Sequence, residues 1–216
     1  MPTGRQTRQE EIANVITHGV GMVFGLTVLI LLILKAVGTH NAWVLFSFTV
    51  YALCMTLSYV TSTYYHAATN GRRKHLLRKF DHSAIYLHIA GTYTPFTLIT
   101  LRQEGFWGWG LFLVIWLAAV VGVFLSFRKI RKSSTLKTIC YLLMGWVVVI
   151  AFKPLLDVLQ RTDSMAILYW LIAGGLFYSL GTIFFVLDKY KYMHTVWHLF
   201  VLGGTVCHFI SVWLLV

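Results

Sequence analysis

The sequence has few charged residues, and few of those are acidic. Charged side chains make up 12% of the chain, with 7 aspartates and glutamates against 18 lysines and arginines, whereas 58% of the residues are hydrophobic. One soluble core in a chain of 216 residues cannot bury that much apolar surface. The composition therefore argues against an ordinary soluble domain and predicts a protein whose excess apolar surface is covered by lipid.

Cysteines are also scarce, and the sequence contains no segment that would divide it into domains. Cys54, Cys140 and Cys207 lie singly in three different apolar runs without a CxxC spacing, so we interpret them as reduced packing residues. No long linker, low-complexity tract or internal repeat interrupts the chain, which predicts one helical domain over residues 1–216. The first apolar run is long enough to span a membrane and lacks a convincing cleavage site after it. We therefore expect it to stay as the first helix rather than to be removed as a signal peptide.

Apolar runs of membrane-spanning length recur along the chain. Crossing about 30 Å of hydrocarbon requires roughly 20 apolar residues in a helix. The runs predict an all-α membrane protein, a bundle of seven transmembrane helices. The fifth run is the weakest, because Lys153 and Pro154 interrupt it. The predicted helices span approximately residues 12–34, 43–65, 82–101, 105–127, 138–156, 164–187 and 193–216.

Basic residues lie mostly on one side of the predicted bundle. This side holds Arg5, Arg8, Arg72, Arg73, Lys74, Arg78, Lys79, Arg128, Lys129, Arg131, Lys132, Lys137, Lys189 and Lys191, and the other side holds Lys35, Arg102, Lys153 and Arg161. Short loops rich in lysine and arginine stay in the cytoplasm, so the N-terminus is predicted to be cytoplasmic and the C-terminus to lie outside. The same distribution explains the net charge of +11 and predicts no nucleic-acid partner.

Several polar and ionisable side chains occur inside the apolar runs, where they are costly and often functional. They are Glu11, Asn14 and His18 in the first predicted helix, Ser62 and His66 in the second, Asp81 in the third, and His194 and His198 in the seventh. The predicted topology places all of them near the cytoplasmic interface. The three residues of the first helix share one face and could alternatively form a hydrogen-bonded network that fixes this helix.

Three of these residues have the pattern of a zinc site. His194 and His198 are four residues apart on one helical face, and His66 supplies a third imidazole. Catalytic zinc commonly takes three protein ligands and leaves a fourth position for water. Asp81 could orient or deprotonate the attacking water, and Ser62 could hydrogen-bond a water, a ligand or Asp81. The implied chemistry is the hydrolysis of an ester or amide.

The remaining histidines have simpler interpretations. His40 and His75 are predicted to be interfacial, and His208 is predicted to lie too near the outer half to share the site. His82 and His88 are candidates for positions beside the ligands rather than for ligands.

Short motifs around these residues resemble a known family. They are residues 10–19 (EEIANVITHG), 62–66 (STYYH), 81–82 (DH), 91–95 (GTYTP) and 194–198 (HTVWH). Over essentially its whole length the chain resembles the bacterial haemolysin III family. That family is related to the progestin and adiponectin receptors and, more distantly, to the alkaline ceramidases, in a superfamily of predicted membrane hydrolases.

The resemblance implies a site and a cellular setting. It implies zinc bound by His66, His194 and His198, with Asp81 and Ser62 beside it. It also implies a multi-pass protein of the bacterial cytoplasmic (inner) membrane, with membrane lipids as substrate or ligand and a role in lipid homeostasis.

Three functions are compatible with the sequence. The first is a zinc-dependent hydrolase of lipid ester or amide bonds, which the open fourth zinc position favours. The second is a membrane sensor or regulator without enzymatic activity, in which zinc ties helices together. The third is a pore-forming cytolytic protein or transporter, which would place ionisable residues through both leaflets. The outer half of this sequence offers little beyond His208.

Overall fold

The computed structural model describes residues 6–128 and 134–216, including the side chains of all of these except 134–136. Within these ranges the chain forms α-helices and no strand, which confirms the all-α fold class. The α-helices are α1 (Arg8–Gly38), α2 (Ala42–Ala67), α3 (Gly71–Pro95), α4 (Phe106–Phe127), α5 (Ser134–Trp146), α6 (Phe152–Arg161), α7 (Met165–Val186) and α8 (Met193–Trp213). A π-helical turn, Phe96–Thr100, follows α3, and a 3₁₀ turn, Val147–Ala151, joins α5 to α6.

Six helical stretches of the described chain are long and apolar enough to cross a membrane. Five are α1, α2, α4, α7 and α8, and the sixth is the continuous run Lys137–Arg161 formed by α5, the 3₁₀ turn and α6. The protein is therefore an α-helical, multi-pass membrane protein. Helix α3, which contains most of the predicted third span (82–101), is not among the six, so seven crossings remain a prediction. Of the basic residues behind the predicted orientation, Arg5, Lys129, Arg131 and Lys132 lie outside the described residues.

Side-chain caps determine where the first three helices begin. The Thr7 hydroxyl accepts from the backbone N–H of Glu10 (3.3 Å), and the Glu10 carboxylate accepts from the Thr7 N–H (2.8 Å), a capping box. Asn41 caps α2, and Asn70 caps α3 by accepting from the Arg73 N–H (3.1 Å). Helix α3 therefore begins at Gly71, before the predicted start at residue 82. The basic segment that was predicted as a loop is the first part of this helix.

Helix α2 lies in the centre of the protein. Its side chains Phe48, Tyr51, Met55 and Tyr59 are fully buried. Gly21 allows α1 to lie directly against the Tyr59 ring, because a β-carbon at this glycine would lie 2.3 Å from that ring. The close contact between small and large residues is typical of helix packing in lipid.

The predicted fifth span is bent where it faces α3. The phenol of Tyr93 donates to the Gly145 carbonyl (2.7 Å) and accepts from the Val148 N–H (2.8 Å). These are backbone groups at the junction between α5 and the 3₁₀ turn. A tertiary contact therefore accompanies the break in a run that the sequence pattern predicted as one helix.

Candidate metal centre

Three histidines from two helices converge at one end of the protein. His66 ends α2, and His194 and His198 begin α8, where their spacing of four residues puts both on one face. Each of the three offers a ring nitrogen, and these nitrogens lie within 4.8 Å of one another. The centroid of the His66 ring lies 5.1 Å from the ring centroids of His194 and of His198. The ring centroids of His194 and His198 are 4.6 Å apart. The structure therefore brings together the three predicted ligands.

The hydrogen bonds of His66 leave one ring nitrogen available. Its Nδ1 lies 2.7 Å from a carboxylate oxygen of Glu11, so Nδ1–H donates to Glu11. Its Nε2 is buried and has no hydrogen-bond partner among the described residues. A carboxylate behind an imidazole fixes the tautomer and the orientation of metal-binding histidines. Three clustered imidazoles, one with an unpartnered buried nitrogen, fit a zinc ion.

Side chains of helix α1 form hydrogen bonds with the two helices that carry the histidines, α2 and α8. The fully buried Asn14 accepts from the Thr195 hydroxyl on α8 (2.6 Å), and its amide nitrogen lies 3.4 Å from Nδ1 of His66. The hydroxyl of Thr17 lies 3.1 Å from Nδ1 of His198. Glu10 accepts from the backbone N–H of Tyr192, just before α8 (2.9 Å). Of the three residues considered for a network from the sequence, Glu11 and Asn14 form such hydrogen bonds, whereas His18 forms none within the ranges that the structure describes.

His18 contributes by packing rather than by hydrogen bonding. Its ring is stacked on that of His198, with centroids 3.5 Å apart and an interplanar angle of 18°. Both of its ring nitrogens are buried without a hydrogen-bond partner in the described part of the chain. The stacking restricts the rotation of the His198 ring.

Ser62 and Asp81 lie beside the histidines. The Ser62 hydroxyl is 2% exposed and lies close enough to the Asp81 carboxylate to interact with it. Asp81 is also close enough to His66 to interact with it electrostatically. Both side chains line the same cavity as His194 and His198. All five predicted site residues are therefore at one location.

The other histidines divide into two groups. His40 and His75 are exposed and do not line the cavity. His82 accepts from the Lys137 ammonium at its Nδ1 (3.0 Å) and lines the cavity, as His88 does. His208 lies further along the same cavity, with Nε2 3.2 Å from the Leu171 carbonyl oxygen.

Lys74 and Thr195 are among the contributors to the site that were not singled out in the sequence. The Lys74 ammonium lies 2.8 Å from Glu11 and donates to the carbonyls of Tyr65, His66 and Ala68 at the end of α2. A cation at this position is favourable because the carbonyl end of a helix carries partial negative charge. Thr195 is the second contributor, and its place inside the HTVWH motif was the available signal.

The site opens into a cavity of about 770 Å³. We call the part lined by Glu11, Ser62, Asp81, His194 and His198 the histidine end. We call the part lined by Phe96, Leu101, Leu111, Phe152 and Leu155 the apolar end. His88, Tyr178 and His208 line the part between them. The volume is in the range of pockets that enclose small organic ligands.

Comparison with known proteins identifies the family. A family model described as "Haemolysin-III related" matches residues 6–209. The chain is 44% identical to "Hemolysin-3" of Bacillus cereus over 204 residues, which cover 94% of this chain and 90% of the relative. It is 42% identical to the "Hemolysin-3 homolog" of Bacillus subtilis (strain 168) over 206 residues, or 95% of this chain and 94% of the relative. The chain belongs to the haemolysin III family.

A more distant similarity extends to animals. The chain is 28% identical to "Monocyte to macrophage differentiation factor" of Homo sapiens over 183 residues, which cover 81% of this chain and 72% of that protein. Membership of the haemolysin III family confirms the resemblance seen in the motifs. Together with the six apolar helices, it identifies a multi-pass bacterial membrane protein.

Proposed function

We propose that this haemolysin III protein is a zinc-dependent hydrolase that cleaves an ester or amide bond of a membrane lipid. The observation that carries the proposal is the His66 ring: Glu11 holds its Nδ1, and its buried Nε2 lies unpartnered beside two further histidines. The same place has a carboxylate, Asp81, and opens into a cavity with an apolar far end. A metal site, a candidate base and an apolar cavity are the parts that lipid hydrolysis requires.

Each residue has a role in this proposal. Zinc held by His66, His194 and His198 would supply Lewis acidity and lower the pKa of water toward neutrality. The Asp81 carboxylate accepts the proton of the attacking water and returns it to the leaving group. The Ser62 hydroxyl, which lies beside Asp81, keeps that carboxylate in place by donating a hydrogen bond to it.

The proposal includes a topology. We assign the seventh crossing to α3 and place the N-terminus in the cytoplasm, so that the histidine end lies just inside the cytoplasmic face of the inner membrane. A lipid would then place its scissile bond at the histidine end, near headgroup level, and its chain along the apolar end. The apolar lining of that end supports this arrangement.

A second candidate function is a sensor or regulator in which zinc has a structural role. The contacts of Asn14 with α2 and α8 favour it, because a metal at the histidines would join the same helices. The names of the Bacillus relatives suggest a third candidate, a cytolytic protein. A pore needs polar groups through both leaflets, and the apolar lining of the apolar end of the cavity argues against a pore.

The first experiment measures metal by elemental analysis of protein purified in detergent. We expect about one zinc per chain in the wild type, because three histidines form one site. The variant His66→Ala/His194→Ala/His198→Ala should lose it, while His40→Ala/His75→Ala, which changes two exposed histidines, should keep it. Size-exclusion chromatography and circular dichroism check that each variant is folded. A folded wild type that stays free of zinc after incubation with the ion would refute the hydrolase mechanism.

A further inference from the structure

The histidine end of the cavity has two cations beside the proposed catalytic carboxylate. Arg78 lies on α3 three residues before Asp81, so both project from the same side of the helix. Lys137 begins the apolar run of α5 and α6, and its ammonium donates to Nδ1 of His82. Both Arg78 and Lys137 line the cavity. The two cations thus come from different helices to one opening.

These two cations differ from their neighbour Lys74. Lys74 also lines the cavity, but its charge is neutralised by Glu11 at 2.8 Å. Within the described residues, neither Arg78 nor Lys137 forms an ion pair with a carboxylate within 4.0 Å. Each interacts with Asp81 only at longer range. In the part of the chain that the structure describes, the opening therefore has two positive charges without a directly paired carboxylate.

The arrangement of these charges favours a bound anion. Arg78 and Lys137 are close enough to repel each other, and Lys137 is partly buried. An anion between them would replace this repulsion with two attractions, which are stronger away from bulk water. A further carboxylate, Asp188, lines the cavity and interacts with Arg78 at longer range. Asp188 forms no ion pair within 4.0 Å with either cation among the described residues, so it does not occupy the place of a closely bound anion.

The chemistry of the pair is that of a phosphate site. The guanidinium of arginine donates two parallel hydrogen bonds to a phosphate group, and lysine adds a mobile point charge. A phosphate at this opening would lie next to Asp81, where the proposed reaction takes place. The rest of such a ligand would extend into the cavity and its apolar end.

We propose that Arg78 and Lys137 form a phosphate subsite, so that the lipid bound by this protein carries a phosphate in its headgroup. This inference rests on the proposed function, because it assumes that a lipid binds in the cavity with its scissile bond near Asp81. It adds a substrate class: an acyl ester or amide of a phosphate-bearing lipid rather than of an uncharged lipid.

The test compares two lipids that share one acyl chain and differ in the phosphate, lysophosphatidic acid and monoacylglycerol. Binding to detergent-solubilised protein is measured by native mass spectrometry, without any need for turnover. We expect the wild type to bind the phosphate lipid at least about tenfold more tightly, since hydrogen bonds to charged groups have this magnitude. In Arg78→Gln/Lys137→Gln the two affinities should agree within about twofold.

A matched variant controls for the loss of two positive charges. Arg72→Gln/Arg73→Gln removes two exposed cations from the first turn of α3 that do not line the cavity. This variant should keep the wild-type preference for the phosphate lipid. A wild type without the preference, a preference that survives in Arg78→Gln/Lys137→Gln, or its equal loss in the control would overturn the inference.

A competition experiment identifies the source of the phosphate. If inorganic phosphate displaces the lipid only at concentrations far above those of the lysophospholipid, the acyl chain contributes and the ligand is a lipid. If inorganic phosphate binds as tightly as the lipid, the subsite is a free-phosphate site and the assigned substrate class is wrong.

Zinc is measured in the same preparations, so a protein with zinc but without phosphate preference refutes this inference alone. A protein without zinc refutes the proposed function instead.

Discussion

The two ends of the cavity are built in opposite ways. At the histidine end, polar side chains from α1, α2, α3 and α8 hold one another through hydrogen bonds, as in the contacts of Glu11 with His66 and of Asn14 with Thr195. At the apolar end, Phe96, Leu101 and Leu155 are at most 4% exposed and meet through apolar contacts. The difference shows that the cavity is amphipathic along its length. An amphiphile with one reactive polar group matches it better than a uniformly polar or apolar ligand does.

The largest expected effect comes from replacing the proposed base at the histidine end while keeping the proposed zinc ligands. We expect Asp81→Asn to bind about as much zinc as the wild type but to lose turnover of a lipid substrate by about 10²- to 10⁴-fold, the usual contribution of a general base. His194→Ala should lose both zinc and turnover. Elemental analysis and product release are measured on the same samples. An active His194→Ala protein without zinc would contradict the mechanism.

A smaller effect is expected from Glu11, which contacts a proposed ligand and not the metal itself. Glu11→Gln replaces the carboxylate that accepts from His66, and we expect the zinc affinity to fall about 10- to 100-fold. Competition with a chromophoric chelator measures the affinity. Glu104→Gln is the matched control, because Glu104 pairs with Arg161 and does not line the cavity. Equal zinc affinities in the two variants would show that Glu11 does not support His66.

The smallest effect is expected when a larger side chain is placed in the cavity between its two ends. Gly175 lines the cavity on α7, and a β-carbon there would meet only Trp146, at 3.9 Å. Gly175→Leu should therefore fold and shorten the space for an acyl chain, and weaken binding of long-chain lipids by up to about tenfold. Zinc content and short-chain binding should not change. Gly38→Leu, which adds the same group where there is free space, is the control. Native mass spectrometry with a chain-length series gives the result.

The sequence was most informative where a pattern depends on one helix alone. The apolar runs predicted most of the helices, and the spacing of four residues predicted that His194 and His198 share a face, as they do. The start of α3 was misplaced because a scan for apolar runs does not detect a polar helix. Asn70, which caps this helix, is a signal that such a scan ignores.

The features that depend on several helices were harder to predict. Lys74 was counted only as a topology signal, because its contact with Glu11 requires the relative placement of α1 and α3. The pairing of Asn14 with Thr195 depends in the same way on how α1 and α8 are rotated. The cavity between the two ends is a property of packing, and residue spacing does not report it.

The phenol of Tyr93 has a consequence for one wall of the cavity. A bend in a helix frees backbone groups, and inside a bilayer each unpaired group costs several kcal/mol. Tyr93 binds the Gly145 carbonyl and the Val148 amide at once, so this one side chain provides partners for both groups at the bend. The 3₁₀ turn in that wall of the cavity is thus held by a residue about fifty positions earlier in the chain. We therefore expect a substitution at Tyr93 to change the wall of the cavity without touching the proposed metal ligands.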